Sequence, residues 1–227
     1  MKRFTTTVAA AGFMLAGVAT TASAQNYVVD AWTFVGTAIQ CGGPAGRKIV
    51  TSQWLNGMGL PDNGTAHPAA VAKDIHSGFL LSKHGPTSNC SSAGASILGW
   101  TPGAPLTALG FDIRKGSACG NGAPRFNVVS GSTTYFFGCA LGTKTAAGQD
   151  PANWDRITFD TAGGPYAGAE TFVFGVTPVD AIEIVFDEGT DTVTLPDNPA
   201  GIGLAVLDNI RINNTFIQKK KGNPILP

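Results

Sequence analysis

The stretch PRFNVVSGSTTYFFGC, residues 124–139, contains the clearest indication of the fold. Two runs of β-branched and aromatic residues flank a small Ser-Gly-Ser turn at 130–132, and a polar residue separates Phe126 from Val128. Alternation with a period of two places these two side chains on one face of a strand. Two such runs joined by a short turn predict an antiparallel β-hairpin.

Similar runs recur along the chain with turn residues between them. In the last run, 204–213, the same alternation gives one face the residues Leu204, Val206, Asp208, Ile210 and Ile212. Only 68–75 has the composition of a short helix. Closely spaced strands, about ten of them, without crossover helices predict antiparallel pairing in an all-β domain. We expect a two-sheet jelly-roll sandwich that spans 25–217.

The first 24 residues have the pattern of a secretory signal peptide. A positive start at 1–3 (Met-Lys-Arg) precedes an almost purely apolar run at 8–18, and small residues stand at Ala22 and Ala24. Signal peptidase accepts only small side chains at those two positions, so we predict cleavage after Ala24. A membrane anchor is the alternative, but a spanning helix needs ~20 apolar residues. We therefore expect a mature chain without a membrane span, released into the periplasm or the medium.

The chain has 15 Lys and Arg against 15 Asp and Glu, but these charges are unevenly placed. Basic residues outnumber acidic ones over 25–149, whereas acidic residues dominate 150–213. The acidic half could hold a cation, but solubility and cross-strand pairing explain the same asymmetry, and we favour them. A nucleic-acid partner is not expected, because no basic run has interleaved aromatic residues. The lysine-rich segment 218–227 is expected to be a flexible tail.

Four cysteines, Cys41, Cys90, Cys119 and Cys139, allow three disulfide pairings in an oxidising compartment. A hairpin brings its two ends together, so we predict Cys119–Cys139, and Cys41–Cys90 follows. The competing interpretation is a metal site. The sequence has no Cys-x-x-Cys pair and its histidines are scattered, so disulfides are favoured.

The closing stretch 203–213, with Leu-Asp-Asn-Ile at 207–210, resembles the last strand of many jelly-roll carbohydrate-binding-like domains. The segments 109–114, 122–128 and 135–139 are similar to a group of exported bacterial proteins of unassigned activity. The resemblance implies a fold more than a reaction.

The same resemblance implies a structural calcium ion. In such modules the Asp of the final strand often helps to hold calcium together with oxygens from the N-terminal strand. This assigns the metal to Asp208 and, if the first and last strands pair, to Asp30. The alternative is that Asp208 accepts hydrogen bonds from backbone amides of a neighbouring loop, because a buried carboxylate needs such donors or a cation.

Sugar recognition uses flat aromatic rings together with a few polar groups. Trp54 and Trp100 are expected in Gly- and Pro-rich loops, where an exposed ring could serve as a platform. Trp154 precedes a strand, and Tyr135 is a lesser candidate. For each of these ligand-binding candidates, packing in the core or under a loop is the alternative. Trp32 lies within a strand and is expected in the core.

No motif in the sequence names a reaction. There is no Gly-x-Ser-x-Gly elbow, and His67, His76 and His84 match no metal-ligand spacing. A glycosidase pair stays open as a hypothesis, because two such carboxylates meet only in space. The acids available for it are Asp112, Glu170, Glu183 and Asp187. We predict a secreted, non-catalytic module that binds extracellular carbohydrate. The alternatives are a structural or adhesive envelope protein and a glycan-active hydrolase.

Overall fold

The structure, a computed structural model, describes residues 26–46, 49–60, 77–160, 172–190 and 201–217. The predicted signal peptide, the basic tail and the expected short helix lie outside these residues, and so does Glu170.

Strands make up most of the described chain. They are β1 (Val28–Val35), β2 (Val50–Asn56), β3 (Ser77–Lys83), β4 (Ser91–Leu98), β5 (Ala104–Pro105), β6 (Leu109–Arg114), β7 (Arg125–Ser130), β8 (Thr133–Gly138), β9 (Thr143–Ala146), β10 (Trp154–Phe159), β11 (Pro178–Val179), β12 (Ala181–Phe186), β13 (Leu204–Ile212) and β14 (Thr215–Ile217). The helical segments among the described residues are α1 (Ala38–Cys41) and a 3-10 turn at Cys139–Leu141. None of the described helices is long and apolar enough to cross a membrane.

The strands form two antiparallel sheets packed against each other. The smaller sheet has five strands in the order β1-β4-β12-β7-β8. The larger sheet has the order β2-β3-β13-β6-β10-β9, with β14 paired to β13, and β5 and β11 form a separate short pair. The prediction of an all-β antiparallel sandwich is confirmed. The predicted hairpin is also present, as β7 and β8 joined through Gly131 at a φ of 57°.

Alternate residues of both sheets point inward and form one main core. Its largest fully buried side chains are those of Phe79, Phe111, Phe126, Phe137, Phe159 and Phe186. Burying one such side chain stabilises a fold by ~1.5–3 kcal/mol, so this aromatic cluster is a principal source of stability. The side chains between these inward residues must point to the outer faces of the two sheets.

Both predicted disulfides are present. Cys41 bonds to Cys90 with 5.7 Å between their Cα atoms, and Cys119 bonds to Cys139 with 5.0 Å. No free cysteine occurs among the described residues. The two bridges fix loops at the end of the sandwich where β1, β3, β6, β8 and β12 finish.

The predicted alternation in β13 is wrong for the first half of the strand. Ala205 and Leu207 belong to the main core, whereas Val206 packs on the opposite face. A register shift against β6 lies between Asp208 and Arg211, and Asn209 has a φ of 45°. This bulge inserts one extra residue and so exchanges the two faces. Beyond it, Ile210 and Ile212 do point into the core, as predicted.

A second, small cluster covers the outer face of the larger sheet. Leu60, Ala147, Trp154 and Val206 are buried together there. Leu60 follows β2, so the chain leaving that strand lies across the sheet. The carboxylate of Asp208 accepts a hydrogen bond from the backbone N–H of Leu60 at 2.8 Å.

An ion pair lies next to this cluster. Asp112 is fully buried and accepts hydrogen bonds from Nε and Nη2 of Arg156 at 2.7 and 2.8 Å. The side-chain amide of Asn209 donates to the same carboxylate at 2.8 Å. The hydrogen bond to Asp112 raises the pKa of Arg156 above its usual value. Through these hydrogen bonds, Asp112 connects β6 to β10 and to the β13 bulge.

Candidate functional site

The two tryptophans predicted as platforms are partly buried against the main core. The prediction that Trp54 lies in a loop is wrong: it lies in β2, and its ring centroid is 5.3 Å from that of Phe79. Trp100 stacks on Tyr27 with 6.1 Å between ring centroids, and its Nε1 donates to the carbonyl oxygen of Val179 at 2.9 Å. Burial raises the pKa of the Tyr27 phenol. Both tryptophans are therefore held by the fold.

Trp154 and Tyr135 are buried, with only 3% and 6% of their surface exposed. Trp154 belongs to the small outer cluster, and Tyr135 packs edge-on against Phe172 at 5.1 Å between centroids. Neither ring is available to stack on a sugar in this structure. Both side chains are packed inside the fold, which was the alternative to a role in sugar binding.

Asp30 and Asp208, predicted to share a calcium ion, lie in different sheets. The expectation that the first and last strands pair is wrong, because β1 pairs with β4 whereas β13 lies between β3 and β6. Asp208 accepts from the backbone amides of Leu60 and Asn209, as the alternative proposed. Among the described residues, no three His, Cys, Asp or Glu side chains lie close enough to hold a metal ion. Calcium binding stays a prediction, but the strand pairing that would bring Asp30 to Asp208 is absent.

The outer face of the five-stranded sheet brings together aromatic and hydrogen-bonding side chains that are distant in sequence. One row of directly paired residues crosses all five strands, from β1 to β8. It consists of Asp30, Ser96, Glu183, Asn127 and Phe136. Each of the five has at least one core residue as a sequence neighbour, so these five point outward. An aromatic ring thus stands at one end of a line of carboxylate, hydroxyl and amide groups.

The next row across the same face is more apolar. It contains Trp32, Gly94, Val185 and Arg125 in adjacent strands. A Cβ at Gly94 would overlap the six-membered ring of Trp32, so the indole lies directly over this glycine. Val185 is buried between Gly94 and Arg125 and forms an apolar floor. We call the outer surface formed by Asp30, Trp32, Phe34, Ser96, Arg125, Asn127, Phe136 and Glu183 the aromatic face.

Arg125 connects the polar groups of the aromatic face. Its Nε donates to the side-chain oxygen of Asn127 at 2.9 Å, and its Nη1 donates to Asp187 at 2.8 Å. Its guanidinium carbon lies 5.5 Å from the ring centroid of Phe136. A planar guanidinium with this many partners is held in one orientation. The neighbouring carboxylate, amide and ring are therefore held in fixed positions relative to one another.

A cleft continues the aromatic face at the disulfide end of the sandwich. Its volume is about 440 Å³, and its wall includes Phe34, Ser92, Asn89, Arg125 and Asp187. Small-molecule sites usually have volumes of roughly 300–1,000 Å³ and combine apolar surface with a few polar groups. We call this space the end cleft.

Lys83 fixes the floor of the end cleft. The lysine is almost fully buried, and its ammonium donates to the carbonyl oxygens of Thr87, Asn89 and Asp187 at 2.8, 2.7 and 2.7 Å. Buried Glu188 lies in the same wall. Three oxygen acceptors around the ammonium compensate for the free-energy cost of burying its charge. Lys83 thereby joins the β3–β4 loop to the segment after β12.

The sequence-based search for a sugar site missed Trp32, Phe34 and Phe136. Trp32 and Phe34 lie two residues apart within one strand, which places them on the same face. That spacing was a usable signal, but it did not reveal which face is the outer one. Comparisons with protein-family models, with curated proteins and with solved structures found no match.

Proposed function

We propose that this protein is a secreted, non-catalytic module that binds extracellular carbohydrate on the aromatic face. The observation that carries the proposal is the cross-strand arrangement. Trp32, Phe34 and Phe136 share one outer face with the hydrogen-bonding groups of Ser96, Asn127 and Glu183. Rings that stack on the apolar faces of sugars, with polar groups between them, are what carbohydrate recognition requires.

The dimensions of the face favour an oligosaccharide over a single sugar. β1 and β8 are four strand spacings apart, so ~19 Å separates the strands that carry Trp32 and Phe136. The end cleft extends this surface beyond Phe34. A surface of this length suits a polysaccharide chain, which can lie across several strands.

The experiment is affinity electrophoresis of the protein in gels that contain β-glucan, xylan, galactomannan or polygalacturonate. Retardation by at least one polysaccharide is expected, and Trp32→Ala and Phe136→Ala should remove it. The matched control is Phe216→Ala on the larger sheet. Phe216 is 42% exposed against 37% for Phe136, and each ring lies within 6 Å of an arginine guanidinium. Equal retardation of the native protein and both face variants would refute the proposal.

Glycan hydrolysis is a second candidate, favoured by one observation. Asp30 and Glu183 pair with Ser96 from its two sides, so two strand spacings, ~10 Å, separate the strands that carry these carboxylates. Glycosidases use two carboxyl groups ~5–10 Å apart. Release of reducing ends that stops in Glu183→Gln, with binding retained, would establish hydrolysis. Binding without such release supports the non-catalytic module.

A further inference from the structure

A second cleft lies at the disulfide end of the sandwich, at the end of β6 and the start of β10. Its volume is about 440 Å³, again within the roughly 300–1,000 Å³ of small-molecule sites. The charged side chains in its wall are those of Arg114, Lys115, Lys144 and Asp155. We call it the basic cleft, because cations outnumber acids in its wall.

The cations of the basic cleft are not neutralised within it. Lys144 and Lys115 share one carboxylate, with Nζ at 2.9 and 3.8 Å from the oxygens of Asp155. The ammonium of Lys115 also donates to the carbonyl oxygen of Pro151 at 2.9 Å. A single carboxylate cannot balance three positive side chains, since Arg114 is exposed in the same wall. The cleft therefore has a local excess of positive charge that favours an anion.

The basic cleft adjoins the end cleft through one loop. Cys119 lines the basic cleft, and Gly122, three residues later, lines the end cleft. The disulfide from Cys119 to Cys139 fixes this loop. The backbone N–H of Ala118 also ties the loop to β13, because it donates to the carbonyl oxygen of Leu204 at 2.9 Å. A polymer that leaves the aromatic face through the end cleft would meet the basic cleft on the other side of the loop.

The two surfaces have opposite electrostatic character. The acids Asp30, Glu183 and Asp187 outnumber Arg125 on and beside the aromatic face, whereas cations dominate the basic cleft. We propose that the basic cleft binds an acidic substituent of the polysaccharide, either a uronate carboxylate or a sulfate ester, while uncharged sugar units lie on the aromatic face. This inference rests on the proposed function and adds the chemical class of the ligand.

The experiment is isothermal titration of the protein with three hexasaccharides that share a β-glucose backbone: one unsubstituted, one with a terminal glucuronate and one with a terminal sulfate ester. At 20 mM NaCl we expect about tenfold tighter binding of an acidic hexasaccharide than of the glucose one, since a factor of ten needs only ~1.4 kcal/mol. The preference should shrink at 500 mM NaCl, because salt screens exposed charges. The acidic probe that binds more tightly identifies the substituent.

The double variant Arg114→Gln/Lys144→Gln should lose the preference for the acidic probe and keep its affinity for the glucose hexasaccharide. The single variant Lys144→Gln should weaken the preference in part, and its matched control is Arg211→Gln, which also removes one positive charge but lies at the opposite end of the larger sheet. No preference in the native protein, a preference retained by the double variant, or an equal loss in Arg211→Gln would each overturn the inference. If the protein binds the glucose hexasaccharide but does not prefer an acidic one, only this inference is refuted. If it binds no hexasaccharide at all, the proposed function is refuted as well.

Discussion

The guanidinium of Arg125 lies over the ring of Phe136, with 5.5 Å between its central carbon and the ring centroid. The two residues belong to adjacent strands, β7 and β8, and the same guanidinium donates to Asp187 at 2.8 Å. One side chain therefore links an exposed ring to the carboxylate that lines the end cleft. This contact joins the two parts of the surface to which we assign carbohydrate binding.

Replacing Arg125 with lysine tests whether this link matters for binding. Arg125→Lys keeps the positive charge but loses the planar fork that reaches Asn127 and Asp187 together. We expect about a tenfold weaker affinity for the best hexasaccharide, which corresponds to ~1.4 kcal/mol. Arg211→Lys, beside Phe216, is the control and should leave the affinity unchanged. The same affinity in Arg125→Lys as in the native protein would show that the orientation of the guanidinium is irrelevant to binding.

Gly94→Ala should displace the indole of Trp32. A Cβ at position 94 would overlap this ring and the carbonyl oxygen of Ile184. Overpacking of this kind typically costs ~1–3 kcal/mol. We expect a lower free energy of unfolding in urea and a changed near-ultraviolet circular dichroism spectrum. Gly148→Ala is the control, since no atom lies within 4 Å of the added methyl group. Equal stability of the two variants would contradict the placement of Trp32.

Asp112→Ala should be strongly destabilising. The substitution leaves Arg156 and Asn209 without the carboxylate that accepts their hydrogen bonds. Breaking a buried ion pair by removing one partner costs ~3–5 kcal/mol, and the partial exposure of Arg156 places the expected loss near the lower end. Lys144→Ala removes an exposed lysine from a pair whose carboxylate keeps Lys115 nearby, and it should cost ~0–1 kcal/mol. Urea denaturation of both variants measures the difference, and similar losses would show that the buried pair contributes little.

Lys83→Met should loosen the end cleft. Methionine has nearly the same length but cannot donate to the carbonyl oxygens of Thr87, Asn89 and Asp187. Buried acceptors left without a donor cost ~1–3 kcal/mol, so we expect a loss of at least that size. Hydrogen exchange should become faster in 84–90, whereas β10 should keep its protection. Lys115→Met, at an exposed position, should change neither quantity. Unchanged exchange in Lys83→Met would refute the role of the ammonium.

The parts of the fold that depend on local pattern were predictable from the sequence. The β7–β8 hairpin follows from two alternating runs and a short turn, and Cys119–Cys139 follows from the hairpin. The face exchange in β13 was not predictable from alternation. It depends on the left-handed conformation of Asn209, whose side chain reaches Asp112 in the neighbouring strand. The bulge at Asn209 places Val206 and Ile210 on opposite faces, and a hydrogen bond across the sheet accompanies it.

The candidate site was less predictable, because strands distant in sequence build it. Asp30, Asn127 and Glu183 become neighbours only through the strand order β1-β4-β12-β7-β8. Loop position suggested Trp100 as a platform, but its ring packs on Tyr27. Trp32 looked like a core residue because it lies in a strand. Its outward direction follows from the burial of Ala93 and Ala95 on the opposite face of the paired strand.

The most direct test is titration of the ¹⁵N-labelled protein with the hexasaccharide that binds most tightly, followed through the indole N–H signals of its four tryptophans. The signal of Trp32 should shift with the ligand, and those of Trp54, Trp100 and Trp154 should stay in place. A shift at Trp54 or Trp100 with none at Trp32 would contradict the assignment of carbohydrate binding to the outer face of the five-stranded sheet.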